Sequence, residues 1–166
     1  MSKTLKDCVD LHLGKRIFIF GTGPTLNDVS EEQIRHIEEN EVSIGVNFVH
    51  IHLNPTYWIA GGHATQLAFA IEHLHENTEA FFHCGAGEEK QLPTNKRINM
   101  LQDRVVEFNK MPLSRKPSNN IIIGGHNILL TASHLAYVMG ASEIVYVGFD
   151  QVNRLYFYNL WDEPRV

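Results

Sequence analysis

The feature that most constrains the fold is an apolar run that ends abruptly in glycine. Residues 17–20 read Ile-Phe-Ile-Phe, and Gly21 and Gly23 follow with one residue between them. Such a run, bounded by glycine, predicts a buried strand. Because glycine has no Cβ, an anion can approach the backbone N–H groups of the turn closely. The pattern therefore predicts a strand over residues 16–20 that leads into a phosphate-binding turn over residues 21–25.

The turn lacks the two best-known phosphate-loop signatures. Leu26 stands where the dinucleotide fingerprint G-x-G-x-x-G has its third glycine, and no Gly-Lys-Ser/Thr follows as in a P-loop. Pro24 fixes φ just after the glycines, and Thr25 supplies a hydroxyl where a helix could begin. A plain tight turn after a core strand is the alternative interpretation of the same residues.

The size and charge of the chain narrow the class of protein. A length of 166 residues predicts one domain over 1–166, and 43% apolar with 20% charged residues is ordinary for a globular protein. The net charge of -5 argues against a nucleic-acid partner. Cys8 and Cys84 form no disulfide pattern, and neither a secretion signal nor a membrane-spanning run is visible. We therefore expect a cytoplasmic protein with reduced thiols.

Strand and helix patterns alternate along the chain. Apolar runs predict strands over 16–20, 42–46, 57–60, 79–83, 121–123 and 143–147. Helical spacing predicts helices over about 31–39, from 63 to 74 and from 127 to 139, with a capping box at Ser30 and Gln33 and a C-terminal Gly140. A short N-terminal helix is also expected. Residues 98–108 fit either a strand or a helix. Loops are predicted over residues 84–97 and 110–120. The alternation predicts a Rossmann-like open, mostly parallel sheet with helices on both faces.

Polar residues follow several of these strands. In an open parallel sheet, ligands bind outside the carboxyl ends of the strands, so polar residues there are expected to share one edge. The residues placed there are Thr22, Thr25, Asn47 and Asp150, with His126 and Asn127 at a helix start. A turn-forming role for Asn47 and a turn-capping role for Asp150 are the alternatives.

The chain has ten histidines, and two of them follow glycine pairs near predicted strand ends. His126 is the preferred general base because the histidine pKa lies near neutrality, and His63 is the second candidate. His50 and His52 could form a metal-binding pair, but an ordinary polar face is the favoured interpretation because no further ligand has suitable spacing. An exposed histidine at a helix start is the alternative for His126.

Several segments together resemble one superfamily. It contains small bacterial sialyltransferases, motility-accessory-factor glycosyltransferases and archaeal 6-hydroxymethylpterin diphosphokinases. The resemblance covers about residues 16–150. The matching segments are Ile19-Phe-Gly21-Thr-Gly23-Pro24-Thr25-Leu26, Asn47, Asn54-Pro55-Thr-Tyr57-Trp, Gly124-Gly125, and residues 136–150, which end in Gly148-Phe-Asp150.

The resemblance implies a nucleotide site on a Rossmann-like sheet. The turn and the Asn that closes the second strand would hold the CMP part of a donor, and the helix-opening segment would contact phosphate or sugar with Asp150 beside it. The residues implied are Gly21, Thr22, Gly23, Pro24, Thr25, Asn47, Gly125, His126, Asn127 and Asp150.

The chain departs from the family pattern at three points. Thr22 stands where the family usually has Asn, and Gly61-Gly62 stands where an Asp is frequent. The sialyltransferases carry a catalytic His after the Gly-x-Asp strand, and the sixteen residues after Asp150 contain none. Three explanations stay open: a fragment, a reduced member that uses another group, or a protein that is not a transferase.

Three functions follow as expectations. The first is a nucleotide-sugar-dependent glycosyltransferase that uses a CMP-sugar donor and a surface-glycan acceptor, with no metal. The second is a pterin diphosphokinase, which would need ATP, Mg²⁺ and more carboxylates than Asp150 alone. The third is a nucleotide- or sugar-phosphate-binding module without catalysis. The oligomeric state stays open.

Overall fold

A computed structural model describes residues 5–62, 72–84, 105–107, 110–111, 122–123 and 127–150. Six strands form one sheet in which every pairing is parallel. They are β1 Arg16–Phe20, β2 Val42–Val46, β3 Tyr57–Gly62, β4 Glu79–Cys84, β5 Val105–Glu107 and β8 Glu143–Val147; β6 Lys110–Met111 and β7 Ile122–Ile123 form a separate pair. The predicted Rossmann-like α/β class is confirmed.

The order of the strands creates a topological switch point. The order is β5-β4-β3-β2-β1-β8, so the chain moves outward from β1 to β5 and then returns to the opposite side of β1. Phe20 is level with Val147, so Gly21 and Gly148 leave the sheet side by side. In open α/β sheets the crevice at such a switch point is where ligands bind.

Two helices whose full extent lies within the described residues flank this sheet, and local hydrogen bonds set their ends. Helix α1, Glu31–Asn40, begins with the predicted capping box: Gln33 N donates to Ser30 Oγ at 3.2 Å, and Ser30 N donates to Gln33 Oε1 at 2.9 Å. Helix α2, Ile128–Val138, ends at Gly140, which has a φ of 83°. The predicted helix C-terminus is therefore confirmed. None of the helices in the described part of the chain has the length and apolarity needed to cross a bilayer.

The alternation of side chains along β1 builds a core on each face of the sheet. Ile17 and Ile19 pack in a cluster with α2, whose buried residues there are Ala132, Leu135, Ala136 and Met139. Phe20 lies on the opposite face with Leu26 and Ile37 of α1. Successive residues of a strand point to opposite faces, so one five-residue strand anchors helices on both sides.

Some predicted boundaries were wrong. The N-terminal helix is only a 3-10 helix over Leu5–Cys8, and Leu13 is exposed. Gly61 and Gly62 extend β3, because they pair with His83 and Cys84 instead of closing the strand. The ambiguous region 98–108 contains β5, and the predicted loop 110–120 begins with β6. The helix from 63 and the loop 84–97 lie almost entirely outside the described residues.

Three of the described histidines are buried or half-buried, and burial lowers the pKa of each below the usual value. His12 hydrogen-bonds through Nε2 to the Tyr57 hydroxyl at 2.7 Å, and Lys15 depresses its pKa further. His50 and His134 are 5% and 7% exposed. Burial, with the charge of Glu79, also raises the pKa of Tyr57 to about 12. The folded protein therefore favours three neutral imidazoles.

We predict that mild acid destabilises the protein through these histidines. The unfolded chain takes up their protons near pH 6.5, whereas the folded chain takes them up only at lower pH. Their contribution to stability is therefore fully present above about pH 6.5 and is lost as the pH falls toward their folded pKa values. Urea unfolding at pH 7.5 and 5.5 should show a lower free energy of unfolding at pH 5.5. The decrease should be smaller in His12→Asn, and equal stability at both pH values would contradict the prediction.

Candidate functional site

The turns that follow β1 and β8 are hydrogen-bonded to each other. Gly21 N donates to Val147 O at 2.7 Å, and Gly23 N donates to Gly148 O at 2.8 Å. The approach is so close that a Cβ at Gly23 would lie 2.7 Å from the Gly148 carbonyl oxygen, and one at Gly148 would lie 2.6 Å from that of Gly21. The glycines of both turns are therefore needed for the two backbones to meet.

Asp150 completes the contact between the two turns. Its Oδ2 accepts hydrogen bonds from Thr25 N at 2.9 Å and from Thr25 Oγ1 at 2.7 Å. Both bonds are charge-assisted, so they hold the carboxylate firmly over the turn. Asp150 is half-buried and Thr25 is exposed, so the pair lies at an accessible edge of the sheet, where a switch-point crevice is expected.

The expectation that the turn leaves its N–H groups open to a phosphate was wrong for three residues. Gly21, Gly23 and Thr25 already donate to residues 147, 148 and 150. The physical reason is that β8 lies directly beside β1, and its own Gly148-Phe-Asp150 turn supplies the acceptors. Pro24 has no N–H, and Thr22 forms no hydrogen bond with the part of the chain that the structure describes.

The start of α1 is also poorly suited to an anion. The 3-10 helix Pro24–Asp28 separates it from the turn, and Ser30 and Gln33 satisfy donors at its first turn. Glu31 and Glu32 follow at the position where the helix dipole favours negative charge. A phosphate at this helix start would meet two carboxylates that already use the favourable field.

Asn47 lies at the same edge of the sheet in an uncommon backbone conformation. Its φ is 51°, in the left-handed region that costs a non-glycine residue about 1–2 kcal/mol and that Asn tolerates best. Asn47 directly follows β2, the strand that pairs with β1, so it lies at the same edge of the sheet as the β1 turn. Its carbonyl accepts hydrogen bonds from Trp58 Nε1 at 2.6 Å and from His50 Nδ1 at 2.8 Å.

The buried position of His50 corrects one sequence interpretation. His50 was expected on an ordinary polar face, but the 3-10 helix Asn47–Ile51 turns it inward, where it contacts Trp58. Among the described residues, no group of three or more His, Cys, Asp or Glu side chains is arranged to hold a metal ion.

The structure brings together part of the predicted site. Gly21, Gly23, Thr25 and Asp150 are in direct contact, and Thr22 and Asn47 share their edge. The start of α2 is close to the β1 turn, because the Leu129 side chain lies 3.5 Å from a Cβ built at Gly21. Asn127 caps this helix: its Oδ1 accepts a hydrogen bond from Leu129 N. Gly125, His126 and His63 lie outside the described residues.

Three residues of the site were not assigned a role by the sequence patterns: Gly148, His50 and Trp58. The Gly-x-Asp motif after the last strand was a usable signal for Gly148, because it mirrors the glycine turn after β1. No local signal marks His50 or Trp58, because their hydrogen bonds to Asn47 depend on how β2, β3 and the intervening 3-10 helix pack.

The chemistry of the assembled crevice favours hydroxyl groups over phosphate at the β1 turn. Asp150 Oδ2 is used by Thr25, and the second carboxylate oxygen, Oδ1, is an acceptor for which a sugar or ribose hydroxyl is a suitable donor. A phosphate close to this carboxylate would be repelled.

The comparisons with known proteins returned neither a matching family model nor a matching curated protein.

Proposed function

We propose that this protein binds a nucleotide sugar in the β1–β8 crevice and transfers the sugar, with a CMP-sugar as the first donor to test. The observation that supports the proposal most is the Asp150 carboxylate, which Thr25 holds at the topological switch point. In Rossmann-like sheets the carboxylate that binds ribose hydroxyls follows the second strand, and Asp150 offers the same group at the same edge of the sheet, after β8.

Several of the predicted residues have a role in this proposal. Asp150 accepts from the ribose hydroxyls, and Thr22 and Asn47 supply further polar groups at the same edge. The phosphate lies away from the engaged amides of the β1 turn, toward Asn127 at the start of α2, and Gly125 stays a predicted contact. His126 is proposed as the general base that takes the proton of the acceptor hydroxyl, for which a surface glycan is the expected source.

Binding without transfer is the second candidate function. Glycosyl transfer needs donors that stabilise the phosphate that leaves, and the hydrogen bonds of Gly21, Gly23 and Thr25 withdraw three such donors. A module that recognises only the nucleoside does not need them. Turnover separates the two candidates.

Thermal unfolding with added ligands tests the binding step. A ligand at 100 times its dissociation constant stabilises the folded state by about 2.7 kcal/mol, which raises the Tm of a chain of this size by roughly 5–10 °C. We expect this shift with CMP and CMP-sialic acid without metal. A shift with ATP only when Mg²⁺ is present would instead indicate the diphosphokinase function, and no shift with any nucleotide would contradict the proposal.

Release of CMP from CMP-sialic acid in the presence of a galactoside acceptor tests the transfer step. His126→Ala should abolish release, while His36→Ala, at an exposed position on α1, should leave it unchanged. Nucleotide binding with no release by the unsubstituted protein would identify the binding module.

A further inference from the structure

We infer that Trp58 and His50 are positioning residues that hold Asn47 in its ligand-binding conformation. The inference rests on the proposed function for its ligand, and it adds two residues that have no place in the site as the sequence predicts it. Neither ring needs to contact the ligand, because both act on the Asn47 backbone.

The carbonyl oxygen of Asn47 is fully used by the two rings. It accepts from Trp58 Nε1 at 2.6 Å and from His50 Nδ1 at 2.8 Å, which occupies both of its lone pairs. The ring planes meet nearly at right angles, at 80°, with centroids 5.6 Å apart, so the donors approach one oxygen from two directions. The carbonyl therefore has little freedom to rotate.

Both donors belong to rigid parts of the fold. Trp58 is fully buried in β3, a central strand, and pairs in register with Gly45 of β2. His50 is 5% exposed. Any change in the Asn47 peptide would break hydrogen bonds to these buried rings, and a buried polar group that loses its partner is costly.

The conformation that they hold is one that Asn47 would otherwise leave. A φ of 51° is disfavoured for a residue with a Cβ, and such conformations persist where the surroundings over-determine them. Without the two ring donors, the residue is expected to relax toward negative φ, which would redirect its carboxamide at the edge of the sheet. The two buried rings thus fix the conformation of Asn47 at the ligand-binding edge through their hydrogen bonds to its carbonyl oxygen.

Trp58→Phe tests the inference because it keeps a buried aromatic ring, although a smaller one, and removes the N–H donor. We expect the dissociation constant for CMP, measured by titration calorimetry, to rise about tenfold or more. In an Asn47→Ala background the same substitution should have no further effect, since the carboxamide is already gone. An unchanged dissociation constant for Trp58→Phe, or an equal loss in both backgrounds, would overturn the positioning role.

Two further measurements cover the remaining outcomes. His50→Phe removes the second donor and replaces Trp58→Phe if that variant does not fold. The three-bond NMR coupling between HN and Hα of Asn47 reports its φ without any ligand, and it should change in either variant; an unchanged coupling would overturn the inference. If the unsubstituted protein fails to bind CMP, the proposed function fails, and the NMR result still decides whether the rings hold Asn47.

Discussion

Gly148→Ala is expected to lower the free energy of unfolding by about 2–5 kcal/mol, the sum of a conformational and a steric cost. Gly148 has a φ of 67°, which costs an alanine about 1–2 kcal/mol. The added Cβ would also lie 2.6 Å from the Gly21 carbonyl oxygen, and such overpacking typically costs about 1–3 kcal/mol. The neighbouring atom is backbone, so it cannot rotate away as a side chain could.

Two other glycines separate the contributions to this effect. Gly14 has a φ of 74° with no atom within 4 Å of a Cβ, so Gly14→Ala measures the conformational cost alone, about 1–2 kcal/mol. Gly23 has a φ of -72°, so Gly23→Ala measures the steric cost against Gly148 and Asp150 alone. Urea unfolding of the three variants gives the comparison. A Gly148→Ala variant no less stable than Gly14→Ala would contradict the close contact of the two turns.

The close contact between the β1 and β8 turns limits what a substitution at Gly23 reveals about ligand binding. A larger side chain there displaces Asp150 and the Gly148 backbone, so it disturbs the fold as well as any ligand. Loss of nucleotide binding in such a variant would not identify a phosphate-binding turn. Thr25 and Asp150 are the better positions for testing the site, because their contact is made by side-chain atoms at an accessible edge.

Asp150→Asn is expected to weaken CMP binding by about tenfold to a hundredfold while the fold survives. The amide oxygen of Asn can still accept from Thr25 N and Oγ1, so the link between the turns is kept. The other carboxylate oxygen becomes an N–H donor, which removes the charged acceptor proposed for the ribose hydroxyls. Hydrogen bonds to charged groups contribute about 1.5–3 kcal/mol, and 1.4 kcal/mol corresponds to a factor of ten in affinity.

Two variants control for indirect effects in this experiment. Thr25→Val removes the hydroxyl bond to Asp150 but leaves the amide bond, so its CMP affinity should stay within about threefold, or 0.7 kcal/mol, of the unsubstituted protein. Asp150→Ala loses both bonds and should reduce both stability and affinity. Titration calorimetry with CMP measures the affinities. Asp150→Asn with unchanged affinity would remove Asp150 from the proposed ligand contacts.

The features that the sequence determined by itself depend on residues close together in the chain. The capping box of Ser30 and Gln33 spans three residues, and Gly140 ends α2 through a bond from Ala141 N to Ala136 O. The strand β1 follows from four consecutive apolar residues. In each case the interacting groups are fixed by covalent spacing, so the local pattern is sufficient to predict the structure.

The state of the candidate site was decided by the tertiary structure. Thr25 and Asp150 are separated by 125 residues, and whether the amides of the β1 turn are open depends on which strand lies beside β1. Likewise, the conformation of Asn47 depends on a tryptophan in the neighbouring strand. Sequence patterns show that the β1 turn has N–H donors. Only strand order and register show which acceptors lie within about 3 Å of those donors, because residues far apart in sequence can be adjacent in the fold.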